Sequence, residues 1–361
     1  MKNYKVDSKE AIFMMLIILI NTVVLNVPNL IILSSRSSAI INVIYIGIIA
    51  FLFSLIITRL FNIFLDKDII DISHYVGGNI FKTFVGLCFL TFFLLLSIIA
   101  VRYLTSSIKI IYYNNSPLTY ITLFFLVPAV IINKIGLKAI SKTNIILLTI
   151  VILCFLFLFI SSYESFTFSK IFPLLGNGLN KTFFYGITNI FAFTNFIFLF
   201  FLPPLLKKIA DFKHIAISST VIGVIILTFS IATFVLTLPI VTESDEMLSI
   251  YLLSRMVGFG NFLERLDAFF IFSWIITLLS SLSISIFFII QILKKLLNLQ
   301  DERALASPVG LIILGGCLLI KNYSQIKFLG NYVYRYGFLV LVFGIGFGTL
   351  VFANIKYKNN K

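Results

Sequence analysis

A helix needs about 20 consecutive apolar residues to cross roughly 30 Å of hydrocarbon, and this chain is built of little else. Ten such runs can be read along it, at residues 11–33, 40–60, 83–112, 117–134, 143–161, 182–206, 215–240, 268–293, 308–320 and 334–355, the ninth of them short. Hydrophobic residues make up 60% of the chain and charged residues 12%. Lipid offers no partner for backbone N–H and C=O groups, so runs of this length must close their hydrogen bonds internally as helices. The chain reads as an all-α integral membrane protein, a single polytopic domain with ten transmembrane helices over residues 1–361.

Orientation follows from the basic residues, because Lys and Arg flanking short loops stay cytoplasmic. With the N-terminus inside, cytoplasmic segments hold 18 of the 28 basic residues and external segments 9, with Arg102 inside span three. Both termini are then cytoplasmic. The net charge of +14 is accounted for by this asymmetry and by attraction to anionic membrane lipid, and needs no nucleic acid partner. The first run lacks the shorter apolar core and small-residue cleavage site of a signal peptide and is expected to be retained. Cys88, Cys154 and Cys317 fall within spans and are odd in number, which fits packing residues better than a disulfide framework.

All 14 acidic residues fall in loops or at span ends, and His74 and His214 lie in cytoplasmic loops. No buried carboxylate pair, metal-ligand cluster or histidine-based nucleophile is therefore expected inside the membrane. That argues against an enzyme, against a proton pump relaying through carboxylates, and against any cofactor. Arg102 lies near the external end of its span, where a snorkelling arginine is the simpler expectation than a buried functional charge.

The polar residues left at mid-membrane depth carry the information. In LINTVVLNVPNLII (19–32), Asn21 lies ten residues into span one, about 15 Å deep at 1.5 Å per residue. Thr22, Asn26 and Pro28 follow. A proline removes a backbone donor and clashes with the carbonyl four residues back, so a break or kink is expected between Asn21 and Pro28. In FFYGITNIFAFTNFIFLFFLPPLL (183–206), Thr194 and Asn195 again fall near the midplane. For span one alone, a kink satisfied by neighbouring helices is as good an account as a binding site. A matching interruption five spans later favours the site. Because five is odd, a second five-span unit enters from the opposite side, which gives a five-plus-five inverted-repeat transporter fold with broken helices 1 and 6, repeat one over about 11–161 and repeat two over about 182–355. In that architecture the broken helices meet at the substrate site.

Span eight adds Ser273, Thr277, Ser280 and Ser281, which fall at offsets 0, 4, 7 and 8 and so share one helix face. Such a stripe serves close helix packing as readily as ligand binding. The adjacent Ser280 and Ser281 suit a polar ligand or a monovalent cation beside unwound backbone. The candidate ligand-binding residues are thus Asn21, Thr22, Asn26, Thr194, Asn195, Thr277, Ser280 and Ser281.

Several stretches together resemble the spore germination permease family. They are PLLGNGL at 173–179, FLPPLLKK at 201–208, AVRYLTSS around Arg102 followed by Ser116-Pro117, and above all GNFLERLDAFFIFSW at 260–274 followed by Ser280-Ser281. These permeases are B subunits of nutrient germinant receptors, a branch of the amino acid, polyamine and organocation transporter superfamily. The resemblance implies the ten-helix inverted repeat, a small-nutrient ligand, a place in the spore inner membrane, and two partners, an A subunit and a lipoprotein C subunit. It also implies that Phe92 and Leu96, one turn apart in span three, face the pocket, although packing alone accounts for two apolar residues there. The chain departs from the family in two places. Asn21-Thr22-Val23 replaces a Gly-small-Gly break in span one, and Asn195-Phe196-Ile197 replaces a Gly-x-Glu in span six. The second change removes an obvious carboxylate partner for an ammonium group.

Three functions are compatible with these residues: a nutrient-sensing receptor subunit, a cation-coupled secondary transporter, and an ion-conducting or scaffold subunit with a degenerate ligand site. All three share one topology. Cysteines placed at Ser169 and Ser244, in a background without the native cysteines, should both react with a membrane-impermeant maleimide on intact cells. Protection of both would overturn the ten-span arrangement.

Overall fold

The apolar runs become helices. The computed structural model describes residues 4–25, 27–237, 267–299 and 302–360. Among these it is helical throughout, apart from loops and one isolated parallel bridge between Val6 and Leu206. The helices are α1 (Ser8–Leu25), α2 (Val27–Ser35), α3 (Ala39–Phe61), α4 (Ile69–Ile111), α5 (Leu118–Ile135), α6 (Leu137–Ser161), the single turn α7 (Phe196–Leu199), α8 (Phe212–Thr237), α9 (Asp267–Leu297) and α10 (Ala306–Leu319). The helical rod α11 (Tyr323–Asn359) closes the chain and contains π-helical stretches at Leu329–Tyr334 and Val340–Gly346. Seven helical segments among the described residues are long and apolar enough to cross a membrane. The protein is an integral membrane protein.

In span one, helix α1 runs through Asn21 and Thr22 to Leu25, and α2 opens at Val27 with Pro28 in its first turn. A proline is tolerated there because the first-turn N–H groups have no intrahelical partner. Asn26, between the two helices, lies outside the described residues, as does the loop at 241–266.

Span three begins earlier than its apolar run. Helix α4 has 43 residues, about 65 Å at 1.5 Å per residue and twice the hydrocarbon thickness. It bends at Gly77 and Gly78, where Gly78 has φ 67° and no atom outside its neighbours within 4 Å. Backbone conformation rather than space therefore requires glycine at this position. The first turn is held by a reciprocal cap in which Asp68 accepts from the N–H of Ile70 and Asp71, and Asp71 accepts from the N–H of Asp68.

Helix α1 runs through the middle of the bundle, packed on α6, α8 and α9, while α4 and α5 lie against α9 and α3 lies against α8. Within its apolar stretch α9 is 83% buried and α6 only 28%, so α9 is central and α6 faces lipid. One end of the bundle gathers both chain termini. There the Val6 N–H donates to the Leu205 carbonyl (2.8 Å), the Lys207 N–H to the Val6 carbonyl (3.0 Å), Asn354 Nδ2 to the Leu60 carbonyl (3.0 Å) and Lys356 Nζ to the Tyr75 carbonyl (2.9 Å). At this terminal end Lys295 of α9 also meets Asp68, with Nζ 2.6 Å from the carboxylate, and Asp71.

Asp68 is 4% exposed. Burial pushes its carboxyl up to about 6; the Lys295 ammonium opposes the rise and the Asp71 charge adds to it. A carboxyl that holds its proton more tightly when folded favours the folded state below its ordinary pKa of about 4. That contribution is lost as pH rises through about 6. The melting temperature of the wild type should therefore gain on that of Asp68→Asn as pH falls from about 7.5 to 5. A constant difference across that range would show that Asp68 is not the group responsible.

Candidate ligand-binding site

Span six departs from α-helical geometry for most of its length. Its residues Gly186, Thr188, Asn189, Thr194 and Asn195 are poor helix formers, and the hydroxyl and amide side chains compete for nearby backbone groups. Gly186–Ala192 is a 3₁₀ helix, Phe193 leaves helical geometry (φ −86°, ψ 50°), Thr194 and Asn195 form a turn, and α7 resumes for one turn. A 3₁₀ run of seven residues is longer than the three or four usual for that hydrogen-bond geometry and is the kind of segment found at hinges. The expected interruption at Thr194 and Asn195 is present.

Beside it lies a partly open cavity of about 60 Å³ between α1, α2, α4, span six and the start of α11. Thr22, Leu96, Tyr103, Phe191, Asn331 and Tyr334 contribute walls, and among the described residues Lys327 is the one charged lining residue. One water needs about 10–15 Å³ on the same measure, so the space holds a few waters as it stands. Tyr334 organises the floor. Its hydroxyl bonds Thr194 Oγ1 at 2.5 Å, its ring stacks on Phe92 with centroids 5.3 Å apart, and Phe191 meets it edge-on at 6.3 Å. Further along α4 and span six, Phe288 of α9 packs on Phe93, Phe198 and Phe201 with centroids 5.1–5.9 Å apart.

A second, smaller cavity of about 10 Å³ lies between α1, α4 and α9. Asn21, Thr22, Ser97, Ser281 and Ser285 supply its polar lining. The hydroxyls of Ser97, Ser281 and Ser285 donate back to the carbonyls of Phe93, Leu278 and Ser281, which leaves their oxygen lone pairs available. Asn21 Oδ1 is buried with no hydrogen-bond partner.

The residues singled out from sequence thus divide. Asn21, Thr22 and Ser281 line one or both cavities. Phe92 and Thr194 stand behind Tyr334 and hold it. Asn195 is fully buried with both amide atoms unpartnered among the described residues, and the Ser280 hydroxyl is likewise buried and unpartnered, but neither lines either of these two cavities. Thr277 donates to the Trp274 carbonyl (2.9 Å) and lines neither cavity. Asn26 lies outside the described residues. Leu96, readable as packing, lines both cavities. Ser285 was discoverable, since it continues the α9 stripe one turn past Ser281. Ser97, Tyr103 and Tyr334 carried no comparable signal. Arg102 departs from the snorkelling expectation: it is 7% exposed, and its guanidinium turns inward to donate to the carbonyl of Ile320 (2.6 Å) just past the end of α10. Unpaired carbonyls at a helix end attract a cation, and that outweighs reaching for the interface.

A family model described as spore germination protein matches residues 5–326. The chain belongs to the spore germination permease family. A curated relative, spore germination protein A2 of Bacillus subtilis (strain 168), is 24% identical over 265 residues, covering 71% of this chain and 70% of that protein. Among solved structures, the substrate-bound outward-open state of a Na⁺-coupled sialic acid symporter aligns with a TM-score of 0.66 at 11% identity, covering 95% of this chain and 80% of that one. At that identity the likeness shows the fold alone, which is a transporter fold.

The Tyr334–Thr194 contact ties α11 to the interruption in span six. Tyr334→Phe and Thr194→Val should each lower the melting temperature of the detergent-solubilised protein. The pair should couple by about 0.5–1.5 kcal/mol in a double-mutant cycle, the usual net worth of one hydrogen bond. Additive effects would mean the two hydroxyls do not interact.

Proposed function

We propose that this protein is the nutrient-sensing membrane subunit of a spore germinant receptor, seated in the spore inner membrane with both termini cytoplasmic, beside an A subunit and a lipoprotein C subunit. Its ten spans form two inverted five-span repeats, and a small polar nutrient, an amino acid or similar molecule, enters the cavity beside the interrupted span six. The observation that carries this reading is the cavity against the 3₁₀ backbone of span six in a chain of the spore germination permease family. Buried polar atoms normally have partners. Those of Asn21, Asn195 and Ser280 have none among the described residues, and an entering polar ligand or a repacking of span six would supply them. Admitting a molecule larger than a few waters requires movement, and the π-helical stretch Leu329–Tyr334 on the cavity wall is a segment suited to it. Sensing needs only that ligand bind one conformation better than another, by a few kcal/mol, with no turnover.

The smaller cavity favours a second reading, cation-coupled transport. Oxygen donors from Asn21 and Ser281, the latter on the stripe that suggested a monovalent cation, meet there with those of Ser97 and Ser285.

Spores lacking this chain should lose the response to one class of small nutrient. In spores carrying Asn195→Leu or Ser280→Val, the dose response should move to about two- to tenfold higher concentration, the loss of one hydrogen bond that forms only when the surroundings of the cavity repack on binding. Purified protein in liposomes should show no gradient-driven nutrient accumulation. Concentrative uptake abolished by collapsing the ion gradient would establish transport instead, and full-rate germination of the deletion strain toward every nutrient would reject the sensing role.

A further inference from the structure

One face of α9 leads from the smaller cavity to the terminal end. Ser281 and Ser285 line the cavity, and Phe288, Ile292 and Lys295 follow on the same helix. Counted from Ser281, the other four stand at offsets 4, 7, 11 and 14, which is one side of an α-helix. Helix α4 passes from Asp68 at the terminal end, through Phe93, to Leu96 and Ser97 on the cavities. Along this course α4, span six and α9 meet twice. In the first layer Phe288 of α9 packs on Phe93 of α4 and on Phe198 and Phe201 of span six. In the second, Lys295 of α9 pairs with Asp68 of α4, Nζ 2.6 Å from the carboxylate, and the Ile69 N–H of α4 donates to the Phe200 carbonyl of span six (2.9 Å).

The second layer has a cause in the sequence. Residues 203 and 204 are both proline, so the Phe200 carbonyl finds no N–H at the third or fourth position ahead, where a helix would supply one. Ile69 opens α4, and its N–H lacks a partner within that helix. Each group completes the other. Asp68, Ile69 and Phe200 are all buried, and a buried carboxylate is tolerable only while it is paired. The seam is therefore stable when closed, dry and paired, and stable when parted widely enough for water to reach both charges. A half-open seam satisfies neither condition.

From this we infer that α4, span six and α9 form a gate on the terminal side of the cavities, closed in this structure, whose aromatic layer and Lys295–Asp68 pair part together. The gate does not depend on which molecule the cavities take.

The full chain without its native cysteines, in lipid nanodiscs, is given a single cysteine at Ile292, between the two layers, or at Ser285, on the cavity. Its reaction with a small, permanently charged methanethiosulfonate then reports which thiols water reaches. Both positions should react slowly. In a Lys295→Met background, where Asp68 keeps its charge but loses its partner, both should react about tenfold faster. Adding Asp68→Asn, which leaves a good helix cap and no unpaired charge, should slow both again, while gel filtration and a far-ultraviolet circular dichroism melt verify that each variant is folded. Acceleration at one position alone would mean local loosening and would overturn the gate, as would no acceleration at either. Fast reaction that persists in the doubly neutral variant would remove the ion pair from the mechanism.

Discussion

Backbone that leaves the α-helix inside a membrane must be wrapped in protein or face a cavity, because lipid satisfies none of its hydrogen bonds. Span six is where this chain meets that constraint. From Ile190 to Leu202 no residue is more than 3% exposed. The aromatic shell around it, with Phe89, Phe93, Phe53 and Phe288 against Phe196, Phe198, Phe200 and Phe201, is what excludes lipid from a segment of 3₁₀ turns and single helical turns. Central helices α1, α4 and α9 are placed by the need to cover this segment, and the cavities lie where the covering is incomplete.

The half of span six away from the termini is tied down by polar contacts instead. Arg335 donates to Asn189, Asn189 Nδ2 donates to Asn42 Oδ1 (2.7 Å) and Ser34 Oγ (3.1 Å), Asn42 Nδ2 donates to the Thr182 carbonyl (2.8 Å), and Ser38 and Thr182 share a hydrogen bond of 2.7 Å. A connected network of this kind, satisfied among the described residues except at the Arg335 Nε, fixes relative position more sharply than apolar packing does. It joins α2, α3, span six and α11, so a displacement of α11 at the cavity wall cannot occur without reaching α3. Gly186 sits inside the network, and a Cβ there would come within 2.2 Å of Asn42 Nδ2. Close approach rather than backbone conformation explains this glycine.

Much of this was readable in advance where hydrophobicity or helix-breaking chemistry leaves a linear trace. The apolar runs became helices, Thr194 and Asn195 mark the interruption of span six, and Asn21 and Ser281 line one polar cavity. What escaped depends on which face of a helix meets which neighbour. Ser97 looks like any serine in a membrane helix, Tyr334 like an interfacial aromatic, and Lys327 like one more external loop charge, until the packing of α4 and α11 sets each against a cavity. Arg102 escaped for a related reason: the carbonyls it meets at Ile320 and Lys321 are more than 200 positions away in sequence, at separations of 218 and 219. The early start of α4 was hidden because its first turns are too polar to count as membrane-spanning, although Asp68 and Asp71 at spacing three are a capping pattern that sequence alone exhibits.

The two cavities are not independent. Thr22, Leu96 and Ala100 line both, and the Thr22 hydroxyl bonds the Leu19 carbonyl (2.6 Å) within its own helix and approaches the Ala192 carbonyl (3.3 Å) where span six begins to unwind. Anything that enters the smaller cavity presses on walls that shape the larger one, and anything that enters the larger one acts on the only side-chain hydrogen bond between α1 and span six among the described residues. Coupling between two such sites is reciprocal by thermodynamic necessity. In a transporter that reciprocity drives one solute with another. In a sensor the same shared wall lets occupancy of one space set the affinity of the other without either molecule crossing the membrane, so the wall formed by Thr22, Leu96 and Ala100 serves both readings of this fold.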